Sequence, residues 1–98
     1  MNPSTEPIVE GAKEWFVYVI ESRSGKFYTG VATDVNRRFR QHAGGLKGGA
    51  KFFRSDPPAL LLYEESFPDR SSAQKRESQI KSYSRRQKEF LIFNNQES

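Results

Sequence analysis

Five side chains in this 98-residue chain are of the kinds that move protons, hold phosphate or bind metal. They are the phenols of Tyr18 and Tyr28, the guanidinium of Arg38, the imidazole of His42 and the carboxylate of Glu77. The second tyrosine follows ten residues after the first, the arginine ten further on and the histidine four beyond that, with the glutamate far downstream. The chain has no cysteine and one histidine, which excludes disulfides and thiolate metal centres and argues against a zinc site. Any metal is therefore expected to be a hard cation held by oxygen. Glu77 most invites one, because it falls between Ala73 and Ile80 on the face of a helix that should meet the core. A carboxylate there is costly unless it is paired or metal-bound; the plainer alternative is a boundary glutamate that snorkels to a lysine.

Two runs rich in β-branched and aromatic residues, Phe16-Val17-Tyr18-Val19-Ile20 and Lys26-Phe27-Tyr28-Thr29-Gly30-Val31, flank Arg23-Ser24-Gly25 and read as a β-hairpin. Loop length decides where the phenols point. A two-residue loop of Ser24 and Gly25 puts them on opposite faces. A three-residue loop with Gly25 in the left-handed region pairs Tyr18 with Gly30 and Tyr28 with Ile20, so that both share one face. The second register is the expected one, with Gly30 leaving open space beside a phenol for a substrate backbone. The alternative is two core tyrosines beside a bulge glycine. One sheet face then carries Val17, Val19, Phe27 and Val31, the other Phe16, Tyr18, Ile20 and Tyr28, so helices should cover both sides.

Thr33 or Asp34 caps a helix expected from Val35 to about Ala43, ended by Gly44-Gly45. Val35 and Phe39 form its inward stripe. Arg38 and His42 lie on the neighbouring stripe, from which they can reach the sheet edge, while Arg37 and Arg40 point to solvent. The stretch from Gly44 to Lys51 is a mobile loop that either folds onto a phosphate backbone or serves as a flexible connector. It lacks the Lys-Ser/Thr ending of a P-loop, so nucleotide cradling is rejected. A third strand is expected from Ala59 to about Ser66, with Leu60-Leu61-Leu62 well covered. A helix follows from Ser72 to about Tyr83, with Ser71 and Gln74 spaced as a capping box. A last short helix starts near Ser84, and its Phe90, Leu91, Ile92 and Phe93 close the core. The chain reads as one domain over residues 13–93 with disordered tails at 1–12 and 94–98.

Sixteen Lys and Arg against twelve Asp and Glu leave a net charge of +4. More telling, the segment from Arg23 to Arg54 carries Arg23, Lys26, Arg37, Arg38, Arg40, Lys47, Lys51 and Arg54 against the single acid Asp34, which permits contact with nucleic-acid phosphate. Lys26, Arg37, Lys47, Lys51, Arg54 and Lys81 are the candidate phosphate contacts. No apolar run approaches the roughly 20 residues that span a bilayer and the N-terminus lacks a signal-peptide core, so a cytoplasmic location is the default.

Phe16-Val17-Tyr18 and Tyr28-Thr29-Gly30 resemble the two halves of the GIY-YIG nuclease signature. Asp34-Val35-Asn36-Arg37-Arg38-Phe39-Arg40-Gln41-His42, Gly49-Ala50-Lys51, Asp69-Arg70-Ser71 and Arg76-Glu77 with Ile80-Lys81 are similar to its small, single-domain, YhbQ-like (UPF0213) bacterial branch. The resemblance spans about Trp15 to Ile92. Phe16 stands where the family has its first glycine and Thr29 where it has isoleucine, and the family's late asparagine has no clear counterpart. The resemblance implies an α+β fold, a three-stranded antiparallel sheet flanked by about three helices, and hydrolysis of DNA. It implies that Glu77 holds Mg²⁺ (or Mn²⁺), that Arg38 holds the scissile phosphate, that Tyr18 or Tyr28 takes a proton from water, and that His42 orients a tyrosine or relays its proton. The expected activity is an endonuclease of low sequence specificity, in DNA repair or processing, acting on branched, nicked, damaged or single-stranded DNA. Two alternatives stand beside it: a non-catalytic nucleic-acid binding module, and a domain recruited to a partner through Phe90 to Phe93.

Overall fold

The computed structural model describes residues 13–96, so the expected 1–12 tail lies outside the described residues. Three strands, β1 (Trp15–Ser22), β2 (Phe27–Ala32) and β3 (Pro58–Phe67), form one antiparallel sheet in the order β2-β1-β3. Four helices accompany it: α1 (Val35–His42), α2 (Phe52–Ser55), α3 (Arg70–Lys81) and α4 (Arg85–Gln96). The hairpin closes through the three-residue loop, with Gly25 at φ 95° and Tyr18 opposite Gly30. Only glycine takes that φ without strain, and its place sets the register of every β1–β2 pair.

β1 is central and apolar on both sides, and each side builds a core. Val17 and Val19 pack with Tyr63, Ala73, Ile80 and Ile92 on the α3 side. Tyr18 and Ile20 pack with Val35 and Phe53 on the α1 side. α1 begins where Asp34 accepts a hydrogen bond from the Arg37 N–H. α3 begins two residues earlier than expected, because Asp69 caps it by accepting from the Ser72 N–H in place of the expected Ser71–Gln74 box.

Two apolar runs depart from expectation. Leu60 and Leu61 are 55% and 37% exposed. β3 is an edge strand, and the β1–β3 register slips between Val19/Ile20. The bulge resets the in-out alternation, so of the three leucines only Leu62 packs into the α3-side core. In α4, Leu91 and Ile92 pack inward, but Phe90 and Phe93 are 69% and 62% exposed. A helix has one inward stripe, and four consecutive residues cannot all lie on it. Burial therefore does not remove the partner-docking alternative. α4 also runs through Gln96, where a fraying tail was expected from Asn94.

Candidate active site

Tyr18 is anchored in β1, and its ring lies across the neighbouring strand. A β-carbon at Gly30 would stand 2.5 Å from the Tyr18 hydroxyl oxygen. The space expected to admit a substrate backbone is thus filled by the phenol itself. This placement carries the hydroxyl over the edge strand β2, where Tyr18 remains buried.

There it meets the end of α1. Tyr18 Oη lies 2.9 Å from Nε2 of the buried His42. The Tyr28 ring touches both, with centroids 6.3 Å from Tyr18 and 5.2 Å from His42. Phe53 closes the box at 4.8 Å from Tyr28 and 4.5 Å from His42. Phe53 sits on α2, a short helix that periodicity did not indicate; the pair Phe52-Phe53 directly after a glycine-rich stretch was its one sequence signal.

The segment expected to be a mobile loop is tied to α1. Arg38 Nη1 donates to Gln41 Oε1 at 2.8 Å and to the Gly48 carbonyl at 2.6 Å. The Ala50 N–H donates to His42 Nδ1 at 3.0 Å. Gly49 is pressed against the backbone of Gln41 and His42, where any β-carbon would collide with main-chain atoms that cannot swing aside.

Glu77 approaches from the other face of the sheet, on α3. Its side chain is 19% exposed, and Lys81 Nζ lies 3.2 Å from its Oε2. Arg76, beside it, fastens α3 to β3 by donating from Nε to Glu65 Oε1 at 3.0 Å, an oxygen that also accepts from Tyr63 Oη at 2.6 Å. Burial works against the charge of Arg76, but Tyr63 and Glu65 outweigh it and hold the guanidinium pKa above its usual value. This strut was not foreseen, since no spacing rule joins Glu65 to Arg76. Thr29 Oγ1, buried on the α3 side of β2, is the one buried side-chain polar atom without a hydrogen-bond partner among the described residues.

The electrostatics connect these pieces. The Tyr18 pKa is pushed up to about 12, first by burial, then by Tyr28 and, more weakly, by Glu77, while Arg38 pulls it down. His42 is driven down to about 4 by burial, with Arg38 adding to the effect. Arg38, His42 and Tyr28 thus bear on one hydroxyl on the α1 side of the sheet, and Glu77, on α3 across the sheet, is the weakest influence on it. Lys26, Arg37, Lys47, Lys51, Arg54 and Lys81 are all exposed, and among the described residues only Lys81 of these makes an ion pair. A hollow of about 780 Å³ against α4 is lined by none of the five.

The GIY-YIG catalytic domain matches residues 14–89. The chain belongs to that family. A UPF0213 protein of Halobacterium salinarum is 49% identical over 76 residues, covering 78% of this chain and 96% of that protein. One from Desulfotalea psychrophila is 42% identical over 78 residues, 80% of this chain and 70% of the relative. The solution NMR structure of a UPF0213 protein from Bacillus halodurans, 42% identical, aligns with a TM-score of 0.51 over 81% of this chain and 82% of that one. That of an E. faecalis protein, 28% identical, aligns with a TM-score of 0.60 over 92% and 94%. The α+β architecture described above is the GIY-YIG fold.

Proposed function

We propose that this GIY-YIG domain is a metal-dependent endonuclease that hydrolyses DNA phosphodiester bonds with little sequence preference, in repair or processing of branched, nicked or single-stranded DNA in the cytoplasm. The observation that supports this most is the Tyr18 hydroxyl, held 2.9 Å from His42 Nε2 with the Tyr28 and Phe53 rings packed against the pair. In this reading Tyr18 is the base. Its phenol first loses a proton to solvent, and the phenolate then takes one from a water molecule. The water oxygen bonds to phosphorus as the bond to the 3′-oxygen breaks. Arg38 lowers the cost of the phenolate and offers a permanently charged fork to the phosphate as charge develops there. Tyr28 walls the site and shields its hydrogen bonds.

Glu77 would hold one Mg²⁺ or Mn²⁺. Its carboxylate is a hard oxygen donor and largely buried, and the exposed Lys81 ammonium that now faces it would have to swing aside. Among the described residues no group of three acids or histidines forms a cage, and magnesium commonly binds through one or two carboxylates with water and substrate phosphate completing its shell. When bound, the ion supplies a Lewis acid at a phosphate oxygen and positive charge beside the departing 3′-oxygen. Lys26, Arg37, Lys47, Lys51, Arg54 and, once freed from Glu77, Lys81 contact backbone phosphates, which carry no sequence information.

The test is cleavage of plasmid and branched DNA with Mg²⁺, Mn²⁺ or chelator by wild type, Glu77→Ala and Arg38→Ala. Metal-dependent nicking that both variants lose supports the enzyme. Binding without cleavage by wild type supports the second reading, a non-catalytic module. That reading is favoured by the lysine already neutralising Glu77 and by the high pKa of the Tyr18 phenol.

A further inference from the structure

We infer that the Gly48–Ala50 strap is a positioning element: the Ala50 backbone N–H fixes His42 as the Nε2–H tautomer, making the imidazole a one-way donor to Tyr18 Oη. The inference deepens the nuclease reading, and its catalytic meaning rests on that reading.

The chemistry of the donors settles the direction of each bond. A backbone N–H can only donate, so Nδ1 of His42, 3.0 Å from the Ala50 nitrogen, must be the bare, accepting nitrogen. A neutral imidazole carries one proton, which is then on Nε2, 2.9 Å from Tyr18 Oη. The ring stays neutral well below neutral pH because it is buried and faces Arg38.

Three contacts keep the strap in place. Gly49 lies flush on the last turn of α1, where no other residue fits. Gly48 takes φ 103° and turns its carbonyl to Arg38 Nη1, which also holds Gln41. The strap therefore sets two groups at once, the direction of the imidazole bond and the lie of the guanidinium.

The consequence is chemical. With Nδ1 occupied and Nε2 already protonated, His42 has no free lone pair to receive a proton from Tyr18, so it orients the phenol and does not relay. A bond donated to Oη strengthens as the oxygen becomes negative, which favours the phenolate that the base must form. Because Arg38 serves both the Gly48 carbonyl and the proposed phosphate, Gly48 and Ala50 are positioning residues that act through Arg38 and His42.

The test needs neither a variant nor catalytic turnover. In uniformly ¹⁵N-labelled native protein near neutral pH, the imidazole nitrogens report the tautomer, and scalar coupling across an N–H···N hydrogen bond reports the strap. The expected result is a bare Nδ1 coupled to the Ala50 amide nitrogen and a protonated Nε2. A protonated Nδ1, or no coupling between Ala50 and the ring, overturns the inference whether or not the protein cuts DNA. Absence of cleavage by the wild-type protein in the separate plasmid experiment would instead count against the nuclease reading and leave the tautomer standing.

Discussion

A single hydrogen in place of a side chain at Gly30 is what lets the Tyr18 phenol lie across β2. In Gly30→Ala the new carbon would meet Oη at 2.5 Å and the ring carbon behind it at 2.7 Å. The phenol must swing away from His42, at a cost typical of overpacking, about 1–3 kcal/mol. Urea unfolding should show that loss, and cleavage should fall with it. His42 gives a second prediction. Unfolded, it binds a proton near its ordinary value of 6.5; folded, only near about 4. Stability is therefore complete above about pH 6.5, falls as pH drops toward about 4 and then levels off, by at most about 3 kcal/mol. Asp56 and Asp69 are held below the usual carboxylate range by the Ser24 hydroxyl and the Ser72 N–H, so their contributions are lost only at lower pH. Thermal unfolding across this range should lose the upper window in His42→Gln and keep the lower one.

Elements differ in how plainly they could be read. The hairpin register was legible because one residue, Gly25, had to take positive φ, and α1 was legible from Asp34 and the Val35–Phe39 stripe. The strap was not. Its bonds run from main-chain groups of Gly48 and Ala50 to side chains on α1, and a run of glycines carries no periodicity from which such contacts follow. The leucine run of β3 misled because a bulge, invisible in composition, reset its alternation. α4 is the sharpest case, since Phe90 and Phe93 look like core residues and face solvent, whereas Ile92 is buried. Ile92→Ala should cost about 2–5 kcal/mol in chemical denaturation. Phe90→Ser and Phe93→Ser should each stay within about 0.5 kcal/mol of wild type.

At the scale of the whole molecule, the sheet is a partition that the proposed catalytic centre would have to span. α1 lies on one face and α3 on the other, and the Tyr18 ring covers Gly30 of the edge strand on the α1 side. The family pattern is what pointed to the five residues in the sequence; the structure brings Tyr18, Tyr28 and His42 together and leaves Glu77 on the other face, a separation no spacing along the chain reveals. Binding should be electrostatic and blind to base sequence. With about four phosphates neutralised, affinity should fall roughly a hundredfold between about 50 and about 200 mM salt, equally for unrelated duplexes, as read by fluorescence anisotropy. The most direct measurement is the initial rate of nicking of supercoiled plasmid in Mg²⁺ by wild type and by Tyr18→Phe, which differ by one oxygen atom. Loss of a general base should slow nicking by about 10²–10⁴ while leaving DNA binding unchanged. Equal rates in the two proteins, or no nicking by wild type, would contradict the account.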